Sequence, residues 1–356
     1  ICAAFQCEEE ASVKGPTGWR TGVIRTLTKA SGDPDIDVAD WLDGNTPLGI
    51  NKEIPYRGVF PKSDATQAVR ESLMFYEARK GDGGIVLSNY KSFSENAGNA
   101  MTELDRLLKE KHLRFLGEWK VATDEWEDAI ATKLAVIVKE RADKTVKTRF
   151  VVDMLRSGVN GLIRVYERIV LPRGSDLVDS VVDLWETSRK GADIELFVID
   201  IVDAFLNLRV VHEEQGHIIV TDGEGNYYVC EGTPFGLASA PLLWGRVAAW
   251  MGRVAQAIAR PWELRSQIYV DDPVMAACGT KVQRDLIFAR TLLLWTACGA
   301  KLAWEKALLG KSVRWIGAQY TVEKFGIAAS IDADRMNKLL QKTTTMLQTQ
   351  GTLKEL

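Results

Sequence analysis

The chain has 356 residues, 46% of them hydrophobic and 26% charged, enough to bury a core shared by two or three subdomains. A net charge of −3 and a pI near 5.8 exclude a protein that coats nucleic acid over its whole surface. Five cysteines (Cys2, Cys7, Cys230, Cys278, Cys298) match no zinc spacing, so free thiols in a reduced intracellular compartment are expected.

Residues 1–100 read as an N-terminal extension that carries no chemistry. Cys7-Glu8-Glu9-Glu10 and Ser31 to Asp37 read as exposed loop, while Lys62 to Lys80 has helical periodicity through Ala68, Leu73, Met74 and Phe75. Gly81, Gly83 and Gly84 read as a turn, because no strand-to-helix phosphate signature follows them. The N-terminal segment lacks a signal-peptide core and no stretch is apolar over the length of a membrane span, so no membrane partner is expected. Starting at Ile1 rather than Met, the chain reads as a piece of a longer polypeptide.

A helix is predicted from about Asn99 to Trp119 through Met101, Leu104, Leu107 and Leu108. Ala135 to Val138 and Arg149 to Val152 then read as two strands around a charged connector, Lys139 to Lys147. From Lys133 to Arg173 there are ten basic residues against four acidic ones, a local basic patch suited to tracking phosphates.

The apolar run Leu196 to Ile199 predicts a strand delivering Asp200 to its end. Gly216 to Cys230 is a hairpin around Asp222-Gly223-Glu224-Gly225, an acidic turn without the closing Glu of a calcium loop. His212 and His217 have no third partner at zinc spacing and read as surface or strand residues. A helix follows from Ser239 to Met251, burying Leu242, Leu243, Val247 and Met251. Ile268 to Val270 then forms a buried strand ending in Asp271-Asp272, with Pro273 immediately after. Two adjacent carboxylates at a hairpin tip repel one another, and a hard divalent cation relieves that repulsion while supplying chemistry. Leu286 to Thr296 and Asp332 to Leu347 read as further helices, the latter amphipathic through Met336, Leu339, Leu340 and Leu347 with Lys338 and Lys342 facing outward.

Three stretches, Asp200-Ile201-Val202-Asp203-Ala204-Phe205, Thr233 to Pro241 and Tyr269-Val270-Asp271-Asp272, resemble in that order the palm motifs of reverse transcriptases. The resemblance covers roughly residues 135–345 and is closest to the Pol polyproteins of retroviruses and LTR retrotransposons. It implies an α+β right-hand polymerase with fingers (101–196), a palm whose antiparallel sheet is flanked by helices (197–320) and the start of a thumb (321–356). The activity implied is RNA- or DNA-templated DNA synthesis from dNTPs on a primer 3′-hydroxyl.

By that resemblance Asp200 and Asp271, with Asp272 beside them, are the ligands of two Mg2+ ions, for which Mn2+ can substitute. Lys306 is the general acid toward pyrophosphate. Asp203, Ala204, Phe235 and Gly236 line the nucleotide site, and Phe205 is the aromatic gate that rejects a 2′-hydroxyl. Arg149 holds the triphosphate together with Lys147 or Lys144, and Trp315-Ile316-Gly317 is the primer grip. Pro273 departs from the pattern, standing where the family has an aliphatic residue. RNase H and integrase domains are expected on the parent polypeptide but leave no signature here. The expected location is cytoplasmic, in virus-like particles, or nuclear. Two rival readings are a degenerate copy that binds nucleic acid without catalysis and an RNA-dependent RNA polymerase. Phe205 argues against the polymerase of RNA.

Overall fold

The computed structural model describes residues 17–63, 88–140, 144, 146–188, 193–324, 326–331 and 333–349. Helix α1 (Thr21–Ser31) ends at Gly32 in the left-handed conformation. Helix α2 (Ala97–Lys109) buries Ala100, Leu104 and Leu107, the i, i+4, i+7 stripe its sequence carries. It stops well before Trp119, because Lys111 adopts a positive φ and the His112 N–H turns back to the Leu107 carbonyl at 2.7 Å. Leu113–Gly117 is then strand β1, which corrects the longer helix expected from periodicity.

Strands β2 (Ala131–Thr132), β3 (Leu134–Glu140) and β4 (Val146–Val152) follow, then helix α3 (Gly174–Thr187) and strand β5 (Asp193–Val198). Strands β6 (Ile219–Thr221) and β7 (Tyr227–Cys230) precede helix α4 (Ala240–Ala257), and strands β8 (Leu264–Tyr269) and β9 (Asp272–Gly279) precede helix α5 (Lys281–Cys298). Strands β10 (Leu308–Gly310), β11 (Ser312–Trp315), β12 (Ala318–Glu323) and β13 (Gly326–Ile331) lead into helix α6 (Ala333–Thr349). The helix predicted over 62–80 from residue 64 onward, the turn at 81–84, the Cys7 segment and residues 141–143 and 145 of the Lys139–Lys147 connector lie outside the described residues.

The chain divides into two compact units. The first takes in the chain up to Val170 with Asp203–Trp250 and Ala297–Gly299. It contains the β3–β4 hairpin and a mixed sheet in the order β1-β7-β6-β2. Its core joins α2 to Leu134, Val136, Phe150 and Val152 of the hairpin and to Val220, Tyr228 and Cys230 of the sheet. Ser31 to Asp37, expected to be exposed, is instead anchored. Asp35 is fully buried against the equally buried Arg246, which reaches it with Nε at 2.8 Å. Arg57 and Arg246 both bond Asp37. His217, expected at the surface or in a strand, is buried in a short helical turn beside Asn51 and Asp128. Its neighbour Glu214 is fully buried and accepts the backbone N–H groups of Leu48, Ile50, Asn51 and Lys52.

The second unit comprises Leu171–Val202, Met251–Thr296 and the chain from Ala300. Its main sheet runs β10-β5-β9-β8, and β11-β12-β13 forms a second sheet. Strands β5 and β9 are interior, which explains their continuous apolar runs. Leu177, Val181 and Leu184 of α3 pack on Ile194, Leu196, Val198, Val274 and Ala276. Each buried Leu, Ile or Val among them contributes about 2 kcal/mol. That packing holds the ends of β5 and β9 in place, and those ends carry the carboxylates.

Candidate active site

Strand β5 pairs antiparallel with β9 in the register Val198 to Val274. Just beyond it, the Ile199 N–H donates to the Pro273 carbonyl at 3.2 Å and the Ile201 N–H to the Asp271 carbonyl at 2.8 Å. These two bonds straddle Asp200, so its backbone lies against Asp271-Asp272-Pro273. Pro273 accepts a ladder bond but has no N–H with which to return it. The carboxylates are partly buried. Val270, in the two-residue turn between Tyr269 and Asp272, has a φ of 57°, an unusual conformation for a β-branched residue that fixes the turn at a cost.

Lys306 reaches the same place. Its Nζ forms an ion pair with the Asp200 carboxylate, and the Ala303 N–H donates to the Asp200 carbonyl at 2.9 Å, tying the turn that bears the lysine to the same residue. Trp315 is buried, and its indole N–H donates to the Asp272 carbonyl at 2.9 Å. Thus the β11–β12 hairpin braces the backbone of the Asp pair. Its turn uses Ile316 at φ 40° and Gly317 at φ 84°, and a Cβ at Gly317 would collide with the Arg335 guanidinium. The four expected catalytic residues and the expected primer-grip tryptophan therefore converge within the second unit.

The expected nucleotide-binding residues lie in the first unit, together with the β3–β4 hairpin. Arg149 is exposed on β4 with its guanidinium 5.9 Å from the centre of the Phe235 ring, and Phe235 meets Phe205 edge-to-face at 5.3 Å. Gly236 has a φ of 110°, and a Cβ there would run into the Val152 carbonyl. Only glycine lets the loop lie this close to β4. Asn160 holds the same loop, donating to the Gly236 carbonyl at 2.9 Å and accepting the Ala238 N–H at 2.8 Å. Lys147 sits opposite Lys139 in the hairpin. Ala204 is buried, and Asp203 adopts a φ of 51°.

Comparison with solved structures finds the same architecture in foamy virus enzymes. A foamy viral protease–reverse transcriptase solved with double-stranded DNA matches at a TM-score of 0.52 and 15% identity, over 88% of this chain and 57% of that one. Another, described as dRH and also solved with double-stranded DNA, matches at 0.52 and 16% identity over 81% of this chain and 41% of its own. A third, solved with an RNA/DNA hybrid, matches at 0.51 and 16% identity over 72% and 29%. The chain has a reverse-transcriptase-like fold. It spans between 29% and 57% of the length of these proteins, and neither a protein-family model nor a curated protein matches its sequence.

Asp200, Asp271 and Asp272, whose backbones lie together at the end of the β5–β9 ladder, offer the type of oxygen donor that a hard octahedral cation such as Mg2+ takes, so in donor chemistry they fit the implied metal. Among the described residues it is Glu110, His112 and Asp203 whose ligand atoms lie within 4.8 Å of one another. Arg106 already lies there, paired with Glu110 and 3.4 Å from Asp203. Its pKa is raised by its bond to Glu103 and by these carboxylates, against the opposing effect of burial. A guanidinium thus balances these charges. Arg106 was invisible to sequence reasoning, because its contact with Asp203 spans 97 positions. Among the described residues no helix is long and apolar enough to cross a membrane.

Proposed function

We propose that this chain is a template-directed DNA polymerase domain, a reverse transcriptase extending a primer 3′-hydroxyl with dNTPs. The observation that carries the reading is the convergence of Asp200, Asp271 and Asp272 with Lys306 at the end of the β5–β9 ladder. Residues 101–196 serve as fingers, 197–320 as palm and 321–356 as the beginning of a thumb. Asp200, Asp271 and Asp272 would hold Mg2+, which would lower the pKa of the attacking hydroxyl and offset the triphosphate charge.

The chain's own groups do the rest. The carboxylates hold position because Val270 and the Trp315 bond fix the turn that bears them. Lys306 balances the Asp200 charge and, released from that pair, donates a proton to the departing pyrophosphate. Arg149 offers a guanidinium fork to triphosphate oxygens, while Gly236 lets the backbone approach the nucleotide. Phe205, held edge-on by Phe235, stands under the sugar and excludes a 2′-hydroxyl.

Primer extension on RNA and DNA templates, with Mg2+ and either dNTPs or rNTPs, tests this reading. Wild-type extension with dNTPs alone, reduced roughly a thousandfold by Asp271→Asn, is the expected result. Extension with rNTPs would overturn the role given to Phe205. Duplex binding without extension by wild type would favour a non-catalytic copy.

A further inference from the structure

A cleft of about 680 Å3 opens in the first unit between the end of α2, β1 and the segment around Arg209. Its size is that of a small-ligand site. Its floor carries Arg209, whose backbone is fixed by the Thr46 N–H bond to its carbonyl at 2.9 Å and by a bridge to Gly232. The Arg209 side chain is 7% exposed, and its closest carboxylate, Glu231, lies 3.7 Å away. The buried Nε has no hydrogen-bond acceptor, and burial pulls the guanidinium pKa down against a weaker opposing pull from Glu231. Glu231 is shared, because its other oxygen accepts from Arg114 Nε at 3.1 Å. Arg114 in turn is saturated by a two-pronged pair with Glu125. A buried cation short of acceptors is costly unless an anion completes its shell.

The rim supplies two more features. Lys111 closes α2 in the left-handed conformation at φ 60°, a position where glycine is the less strained choice. Among the described residues no carboxylate pairs with its ammonium. Phe115 is 55% exposed, with its ring 5.3 Å from that of Tyr228, so it is an aromatic ring open to a planar partner. A cation on the floor, a cation on the rim and an open ring beside apolar Leu108 and Leu113 match a phosphate joined to a base.

We propose that this cleft binds a nucleotide unit, with its phosphate between Arg209 and Lys111 and its base on Phe115. The unit is either a free mononucleotide or one residue of an unpaired strand. None of these side chains takes part in the polymerase reading, so the two stand or fall separately.

Calorimetric titration of the full chain with AMP, and anisotropy of a labelled short oligothymidylate, test the proposal. EDTA is included to withhold the metal from the polymerase site. Wild type should bind AMP, and Phe115→Ala and Lys111→Gly should each weaken binding about tenfold. Lys111→Gly is the sharper variant, because it removes the charge while relaxing the helix end, so its melting temperature should hold or rise as affinity falls. If a strand is the source, oligothymidylate binding shows the same dependence and AMP competes with it. If a free nucleotide is the source, only AMP binding responds. The proposal is overturned if both ligands fail to bind wild type, or if neither depends on Lys111 and Phe115.

Discussion

Arg246 and Asp35 are wholly buried, whereas Asp200, Asp271 and Asp272 each keep part of their surface in solvent. Arg246 makes hydrogen bonds through all three of its guanidinium nitrogens. It bonds Asp35, Asp37 and the Pro55 carbonyl, lies 3.9 Å from Glu167, and stacks over Trp41 at 4.3 Å. The carboxylates at the β5–β9 end instead stand on a strained turn, with Asp200 paired to a lysine that is 44% exposed. Charge that serves stability is enclosed and balanced, and the charge proposed to serve chemistry stays open to solvent. The two clusters should therefore fail in opposite ways.

Arg246→Ala should cost about 3–5 kcal/mol, because it leaves Asp35 charged and buried. A urea unfolding midpoint close to wild type would erase the contrast. Next in size, Val270→Gly should raise stability by about 1 kcal/mol by releasing the left-handed β-branched residue. Primer extension should fall as the Asp271 carboxylate loosens, so a variant both more stable and equally active would break the argument that the strain serves the site. Smallest of all, Asp271→Asn should shift the unfolding midpoint by no more than about 0.5 kcal/mol, despite its expected effect on extension.

Titration sharpens the same division. Burial raises the Asp37 pKa, but bonds from Arg57 and Arg246 outweigh it and hold the carboxyl below its ordinary value. Its contribution is complete above the unfolded value of about 3.9 and is lost as pH falls through the lower folded one. Burial also lowers His217, opposed by Asp128 and Glu214. The neutral ring is the folded form, so stability is complete above pH about 6.5 and declines below it until the folded pKa is passed. Unfolding midpoints at pH about 7 and about 5.5 should differ in wild type and differ less in His217→Gln.

The Asp200 end of β5 and the β8–β9 hairpin could be read from the sequence because the chemistry proposed for them requires carboxylates at strand ends, and strand ends are marked by apolar runs. The β11–β12 turn was similarly visible in Trp315-Ile316-Gly317. Asp35 was not, because an acidic, proline-containing stretch looks solvated until its partner is known, and Arg246 lies 211 positions away. Helix α2 was drawn too long because a lysine occupies the stop position where glycine would have announced it. Arg209 gave no signal either, since its burial depends on Thr46 and Gly232, which the sequence does not connect to it.

The loop from Leu48 to Lys52 points four backbone N–H groups at one spot, and the Glu214 carboxylate sits there. Converging amides of this kind form a receptor for phosphate. If the chain is the polymerase proposed above, an open receptor would compete with the intended sites for every passing strand. By seating a tethered carboxylate in it, the fold keeps the loop's shape while closing that patch of backbone to outside anions.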